Sequence, residues 1–316
     1  MSENKKDLRV IFMGTPDISA DIFEALLQDG YNIISAYTQP DKKVGRKQNL
    51  QKSPVKILAE KNSIPVYAPR KLDEVAIAQL CEQKPDLIVL IAYGKILPPA
   101  VLDAPRIGAV NIHPSLLPKF RGPSPIQNAL LTGEKITGTT IMLMDAGMDT
   151  GAILKQAKIE VTATETYIEL EKKLTRLSIE TLLEILPKWL AGQIVPQKQD
   201  DSMATYCKMI KKEDGQINWN DSAQIIFNKY RAFSLWPGIF TLWNGRRLKL
   251  NNINLAETDS VSRQNGEVFE IDNIIYAQTN SGAIKLVEVQ LEGKPNTKIT
   301  DFVNGHKDFI GSILKN

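Results

Sequence analysis

Asn111-Ile112-His113-Pro114-Ser115-Leu116-Leu117-Pro118 decides how the chain is read. The preceding Gly108-Ala109-Val110 is a glycine followed by apolar and β-branched residues with no helical period, so 108–113 is predicted as a strand. Successive strand side chains point to opposite faces, so Asn111 and His113, two apart, share one face. Pro114 and Pro118 keep the chain from continuing as regular strand or helix. The two polar side chains therefore fall at a strand's carboxyl end, where open parallel sheets bind ligands.

The chain holds two histidines, His113 and His306, so a general acid/base working near neutral pH has few sources. A single histidine in a strand is ordinarily a hydrogen-bonded core residue. Here Asn111, the strand end and the later Asp149-Thr150-Gly151 shift the balance toward chemistry. A carboxylate can orient an imidazole and hold its charge, and an amide can donate to a developing oxyanion. Ser115 has no nucleophile-elbow sequence around it and is not read as a nucleophile.

Working outward, strands alternate with helices on the N-terminal side. Residues 8–13 form a short buried strand, Gly14-Thr15-Pro16-Asp17 its turn, and Asp17 is expected to cap a helix with Ile18, Ile22, Phe23, Leu26 and Leu27 on one face. One glycine stands where a dinucleotide site needs G-x-G-x-x-G, which disfavours an NAD oxidoreductase. A strand at 32–38 leads into a basic stretch, and Ser53-Pro54 opens a helix. A short strand at 64–67 and a helix at 73–83 follow. Residues 86–92 are almost wholly apolar, as a central parallel strand buried on both faces should be, and Tyr93-Gly94 marks its end. After the decisive stretch come a helix at 125–132, strands at 137–145 and 153–161, and a long amphipathic helix over 164–191 with a candidate break at Pro187. The pattern predicts an α/β, Rossmann-like, mainly parallel sheet.

The remainder differs in character. Residues 192–206 are polar and read as a linker, dividing the chain into domains at 1–191 and 207–316. A helix at 222–233 precedes short strands at 239–243, 247–254, 266–271, 274–279 and 284–290, with Asn244-Gly245 as a hairpin turn and a terminal helix from 299. Strands so spaced predict a small OB-like β-barrel.

At 316 residues, 43% hydrophobic and 24% charged, the chain has the composition of a soluble globular protein that buries a sizeable core. No apolar run reaches the roughly 20 residues of a membrane helix. The polar start, Met1 to Asp7, passes directly into a strand without a signal peptide's apolar region, so a cytoplasmic location is expected. Cys81 and Cys207 lie far apart and suggest neither a disulfide framework nor a zinc site. The net charge of +3 is too mild to diagnose nucleic-acid binding, and its distribution says more. Lys42, Lys43, Arg46, Lys47, Lys52 and Lys56 face the single acid Asp41, which reads either as a solvated loop or as an arm that meets phosphates. Lys208, Lys211, Lys212, Lys229, Arg231, Arg246, Arg247 and Lys249 likewise precede a more acidic second half of the C-terminal region.

With these pieces in place, the chain resembles the methionyl-tRNA formyltransferase family, a branch of the 10-formyltetrahydrofolate-dependent formyltransferases, over nearly its full length. The matching motifs are Phe12-Met-Gly-Thr-Pro-Asp17, Thr38-Gln-Pro-Asp41 with Gly45-Arg46, Ala92-Tyr-Gly94 with Ile96-Leu97-Pro98, Asn111-x-His113-x-Ser115-Leu-Leu-Pro118, Arg121-Gly122, Thr137-Gly138-x-Thr140 and Asp149-Thr-Gly151. Asn-x-His, Ser-Leu-Leu-Pro and Asp-Thr-Gly together mark the wider formyltransferases; the basic stretch and the extra C-terminal domain point to the tRNA branch. The resemblance implies transfer of a formyl group from 10-formyltetrahydrofolate to the α-amine of methionyl initiator tRNA, by a monomer away from membranes. It assigns catalysis to Asn111, His113 and Asp149, the folate site to Ser115, Leu116, Leu117 and Pro118, and part of the pterin wall to Tyr93, Gly94, Ile96 and Leu97. It also implies that Lys42, Lys43, Arg46 and Lys47 meet the acceptor stem and that the C-terminal domain, with Lys208 and Lys211, holds the tRNA body. Departures sit beside the site: Ile18 where the family usually has an aromatic, Pro123-Ser124-Pro125 after Arg121-Gly122, and Ala146-Gly147-Met148 before Asp149.

Amine attack on a formyl carbon makes a tetrahedral centre with a negative oxygen, so the site needs donors aimed at that oxygen and a route for the amine's proton. Neither a metal nor a covalent nucleophile is required. The competing readings are a formyltransferase acting on an amino-sugar nucleotide or glycinamide ribonucleotide, and a non-catalytic tRNA-binding protein on the same scaffold.

Overall fold

The protein is described here by a computed structural model covering residues 5–44, 49–256 and 263–316. The N-terminal elements are β1 (Val10–Gly14), α1 (Asp17–Gln28), β2 (Ile33–Tyr37), β3 (Lys42–Val44), β4 (Asn49–Gln51), α2 (Pro54–Lys61), β5 (Val66–Tyr67), α3 (Glu74–Glu82) and β6 (Leu87–Ile91). They are followed by α4 (Pro99–Leu102), β7 (Gly108–His113), α5 (Pro125–Leu131), β8 (Ile136–Leu143), β9 (Ile153–Glu160) and α6 (Tyr167–Leu190). The C-terminal elements are α7 (Ala223–Ala232), β10 (Phe240–Trp243), β11 (Arg246–Leu255), β12 (Val268–Ile271), β13 (Ile274–Gln278), β14 (Ala283–Leu291), β15 (Thr297–Lys298) and α8 (Ile299–Gly305).

The large sheet runs β5-β2-β1-β6-β7-β8-β9. Pairs from β5 to β7 are parallel, and β8 and β9 add an antiparallel edge. The chain leaves β1 toward β2 and returns on its other side through β6, which creates the kind of switch point where α/β sheets open a crevice at their carboxyl ends. Strand periodicity sorts the core into two layers. Val10, Phe12, Leu87, Val89, Ile91, Val110 and Ile112 pack with α1 residues Ile22, Phe23 and Leu26 and α6 residues Leu182, Ile185 and Leu186. The alternate residues Ile11, Met13, Ile88, Leu90 and Ala109 pack with Leu80 and Val101 on the opposite face. Asn111 and His113 continue the face of Ala109, as their spacing predicts.

Three local expectations are corrected. Asp17 does not cap α1: Pro16 occupies the cap position with extended backbone and no side-chain bond, and Asp17 stands in the first turn, where its charge suits the helix dipole. Ser53 does cap α2, accepting from the Lys56 N–H at 3.1 Å. Pro187 does not break α6, which continues to Leu190, because a proline this near the end removes one backbone bond while Leu182, Ile185 and Leu186 keep the last turns buried. The basic stretch is not all loop, since β3 and β4 pair as an antiparallel hairpin. Arg46 and Lys47 lie outside the described residues.

The chain forms two compact units: Met1–Pro125, Ile136–Val161 and Glu171–Lys208 in the first, and Ile126–Lys135, Thr162–Leu170 and Met209–Asn316 in the second. Ile126–Lys135 and Thr162–Leu170, which fall within the stretch 1–191, thus group with the second. A buried arginine supplies one reason: Arg231 on α7 donates to the carbonyls of Thr162 and Glu165 at 3.1 and 3.2 Å. The segment 192–206 is more than a connection. Gln197 pairs with Ile153, and Tyr206 bridges to Arg121 within the first unit.

The second unit is a curled antiparallel sheet ordered β10-β11-β14-β13-β12, with β15 beside β14. Lys315 bridges to Leu242 on one edge strand and Ile313 to Glu267 at the other, so the last residues span from edge to edge as in a closing barrel. Trp243 packs edge-on against Phe302, His306 and Phe309 at 5.3–5.5 Å, and His306 Nδ1 lies 2.9 Å from the Phe302 carbonyl. The second histidine therefore belongs to packing.

Candidate active site

At the carboxyl end of β7, the three polar side chains expected from sequence come together. His113 Nδ1 lies 3.7 Å from Asp149 Oδ2, and Asn111 Nδ2 donates to Asp149 Oδ1 at 3.4 Å. Asn111 and His113 are buried, whereas the Asp149 side chain retains 15% of its exposure and can meet a ligand. The other ring nitrogen, His113 Nε2, is 2.9 Å from the Phe120 carbonyl. A carbonyl oxygen only accepts, so Nε2 carries the hydrogen and the neutral ring keeps its lone pair on Nδ1, facing the carboxylate. Protonation at Nδ1 then places the positive charge beside Asp149.

Asp149 is held by its backbone as well as by its side chain. Its φ is +54°, a left-handed conformation that side-chain-bearing residues seldom adopt. The Gly122 N–H donates to Oδ2 at 2.8 Å, a charge-assisted bond of about 2 kcal/mol. Gly122 must be glycine: its φ is +115°, and a Cβ there would stand 2.4 Å from the Cys207 carbonyl oxygen. Cys207 is buried beside it, and burial pushes its thiol up, with the Asp149 charge adding to the shift.

The Ser-Leu-Leu-Pro stretch folds back across β8. Thr140 Oγ1 donates to the Ser115 carbonyl at 2.6 Å and accepts the Leu117 N–H at 3.1 Å, while Gln156 Nε2 reaches the Leu117 carbonyl at 2.7 Å. Gly138 makes room for this crossing, because a Cβ there would stand 2.6 Å from Leu116 Cδ2 and 2.0 Å from the Ala157 carbonyl oxygen. Of the four residues expected to line a folate site, Leu116 and Pro118 are half-buried and Leu117 is buried. Ser115 is fully buried, and its hydroxyl donates to the Lys119 carbonyl at 2.7 Å, so its side chain braces the loop.

The expected pterin wall also divides. Tyr93 is buried, its hydroxyl without a partner among the described residues and pushed up to about 12 by burial. Leu97 belongs to the core, whereas Gly94 is exposed and Ile96 is 87% exposed. Gln39 donates to the Tyr93 and Gly94 carbonyls at 2.9 and 3.2 Å, fixing this strand end. Ile18 is buried in the core rather than presented to solvent. Lys42, Lys43, Lys208 and Lys211 are exposed.

Sequence reasoning missed the parts contributed by backbone and by distant chain: the Phe120 carbonyl, the Gly122 N–H and Gln199. The Arg121-Gly122 motif was a signal for the second. For Gln199, a glutamine in a polar stretch, there was none.

The mainly parallel, helix-flanked sheet followed by an antiparallel sheet domain is the architecture of the formyl transferase class. Residues 8–186 match the family model "Formyl transferase" and residues 209–307 match "Formyl transferase, C-terminal domain". The chain is 44% identical over 310 residues to methionyl-tRNA formyltransferase of Caldicellulosiruptor saccharolyticus, covering 96% of this chain and 99% of that one. It is 39% identical over 312 residues to the enzyme of the same name from Pseudoalteromonas translucida, covering 97% of each. Two solved structures share the fold. An N-formyltransferase from Helicobacter canadensis, in complex with folinic acid and dTDP-3-aminofucose, gives a TM-score of 0.67 at 18% identity, covering 88% of this chain and 98% of that one. HypX from Aquifex aeolicus, in complex with tetrahydrofolic acid, gives 0.65 at 17% identity, covering 96% and 48%. The chain belongs to the methionyl-tRNA formyltransferase family.

Proposed function

We propose that this protein transfers the formyl group of 10-formyltetrahydrofolate to the α-amine of methionine carried on initiator tRNA. The observation that carries this reading is the meeting of Asn111, His113 and Asp149 at the end of β7 in a chain of this family. The donor set suits the co-substrate: it offers an amide N–H and a paired proton acceptor, and acyl transfer between two nitrogens needs both. Leu116, Pro118 and the chain at Tyr93-Gly94 offer surface for the folate. 10-Formyltetrahydrofolate supplies a formyl carbon attached to a weakly basic nitrogen.

The neutral amine attacks the formyl carbon, and the carbonyl π electrons move to oxygen. Asn111 Nδ2–H, with His113 when it is protonated, donates to that oxygen. The amine's proton passes to the His113–Asp149 pair, directly or through water. Collapse of the tetrahedral centre breaks the bond to N10, which takes a proton as it leaves, giving the formamide and tetrahydrofolate. Lys42, Lys43, Arg46, Lys47, Lys208 and Lys211 meet tRNA phosphates, so binding weakens with salt.

The test is direct. With 10-formyltetrahydrofolate and charged tRNA, formylmethionine should form on initiator and not on elongator tRNA. Formylation of an amino-sugar nucleotide or of glycinamide ribonucleotide in preference to Met-tRNA would replace this reading with the neighbouring one.

A further inference from the structure

We infer that Gln199 is a positioning residue for Asp149, the linchpin of a latch by which the segment after α6 sets the catalytic carboxylate; this rests on the formyl-transfer reading above. Gln199 is 5% exposed, and its amide is used at both ends. Nε2 donates to the Asp149 and Gly151 carbonyls, each at 2.8 Å. Oε1 accepts from Arg121 Nε at 3.1 Å and from Nη2 at 2.9 Å. Arg121 is itself almost completely buried, and its Nη2 continues to Asp201 Oδ1 at 2.7 Å while Nη1 reaches the Tyr206 hydroxyl at 3.3 Å. Its backbone is tied to the same segment, the Arg121 N–H donating to the Thr205 carbonyl and the Cys207 N–H to the Arg121 carbonyl, both at 2.8 Å.

One buried amide thus joins the two loops that make the site. The loop after β7 carries Arg121 and the Gly122 N–H that grips the Asp149 carboxylate; the loop after β8 carries Asp149 in its left-handed conformation. Without Nε2–H, nothing else described pins the Asp149 and Gly151 carbonyls from that side, and the backbone can relax toward an ordinary conformation. A displacement on the order of 1 Å is enough to separate the carboxylate from His113 Nδ1 and to cost about 100-fold in rate. If Gln199 merely glued the segment to the surface, its loss would be felt in stability alone.

The experiment uses the full-length protein, 10-formyltetrahydrofolate and Met-tRNA, with tetrahydrofolate as the binding probe. Gln199→Glu keeps an acceptor for Arg121 and removes the donors. The expected result is a fall in kcat of about 100-fold with KM for Met-tRNA and tetrahydrofolate affinity within about threefold. In an Asp149→Ala background the same change should cost nothing further. An unchanged kcat, or the full loss repeated in that background, overturns the inference. Asp201→Asn, on the exposed end of the latch, serves if Gln199→Glu does not fold: a fall in kcat of about fivefold with KM for Met-tRNA unchanged is expected, and an unchanged kcat overturns it. A wild-type protein that does not formylate Met-tRNA overturns the formyl-transfer reading and this inference with it. An active wild type with an unaffected variant overturns this inference alone.

Discussion

The end of β7 and the exposed lysines serve the same proposed reaction by opposite means. At β7, Asn111 and His113 are buried, and the Phe120 carbonyl, the Gly122 N–H and Gln199 fix the atoms around them. Lys42, Lys43, Lys208 and Lys211 stand exposed. Stabilising a charge that exists only in a transition state requires dipoles already in place, so each member depends on the others. Attracting a row of phosphates requires only charge within about a Debye length, so each lysine contributes by itself. The difference predicts all-or-none losses in the first region and graded, salt-sensitive ones in the second.

The sharpest way to break that comparison is His113→Ala, which should lower kcat for formyl transfer by about 10³-fold with KM for Met-tRNA little changed. A loss below about tenfold would remove the ring from the chemistry. Gly122→Ala comes next. Its Cβ, 2.4 Å from the Cys207 carbonyl, must push the loop away from Asp149, so about 1–3 kcal/mol of stability should go, and kcat should fall about 100-fold, measured by thermal melting beside steady-state kinetics. The Lys42→Ala, Lys43→Ala double variant should raise KM for Met-tRNA about tenfold, spare turnover of methionine amide, and reduce the slope of log affinity against log salt by about 2. Equal losses on both amines would place these lysines in the chemistry instead.

The smallest effect belongs to a carboxylate outside both regions. Burial works against the charge of Asp86, but the Arg9 N–H and the Arg106 guanidinium outweigh it and hold the group below its ordinary 3.8. A depressed carboxyl contributes stability that is whole above the unfolded value and is lost as pH falls through the folded one. Asp86→Asn should therefore flatten the acid side of the stability–pH curve below about pH 4, with formylation at neutral pH within about twofold of wild type.

Much of the first unit was legible because its strands are short and apolar, and because 86–92 has the nearly continuous apolarity of a strand covered on both faces. The spacing of Asn111 and His113 placed both on one face, and β7 bears this out. The strands of the second unit were legible from their spacing and from Asn244-Gly245. Two departures have physical causes. Pro187 reads as a break by local propensity, yet it sits in the last turns of a helix whose burial on Leu182, Ile185 and Leu186 outweighs one lost bond. The stretch 192–206 reads as a linker because it is polar, but polarity cannot distinguish a solvated chain from one whose polar groups are spent on neighbours, as Gln199's are.

By itself, the order of residues determined which groups are available for chemistry: one strand-end pair two residues apart, one Asp-Thr-Gly, and only two histidines in all. Periodicity is local, so it survives being read along the chain. Only the tertiary structure decided that Asp149 faces Nδ1 rather than Nε2, that a glycine N–H grips its carboxylate, and that a glutamine fifty residues away in sequence holds its backbone. Those contacts join loops distant in sequence, and a backbone N–H or carbonyl that takes part in one leaves no mark on the identity of its own residue.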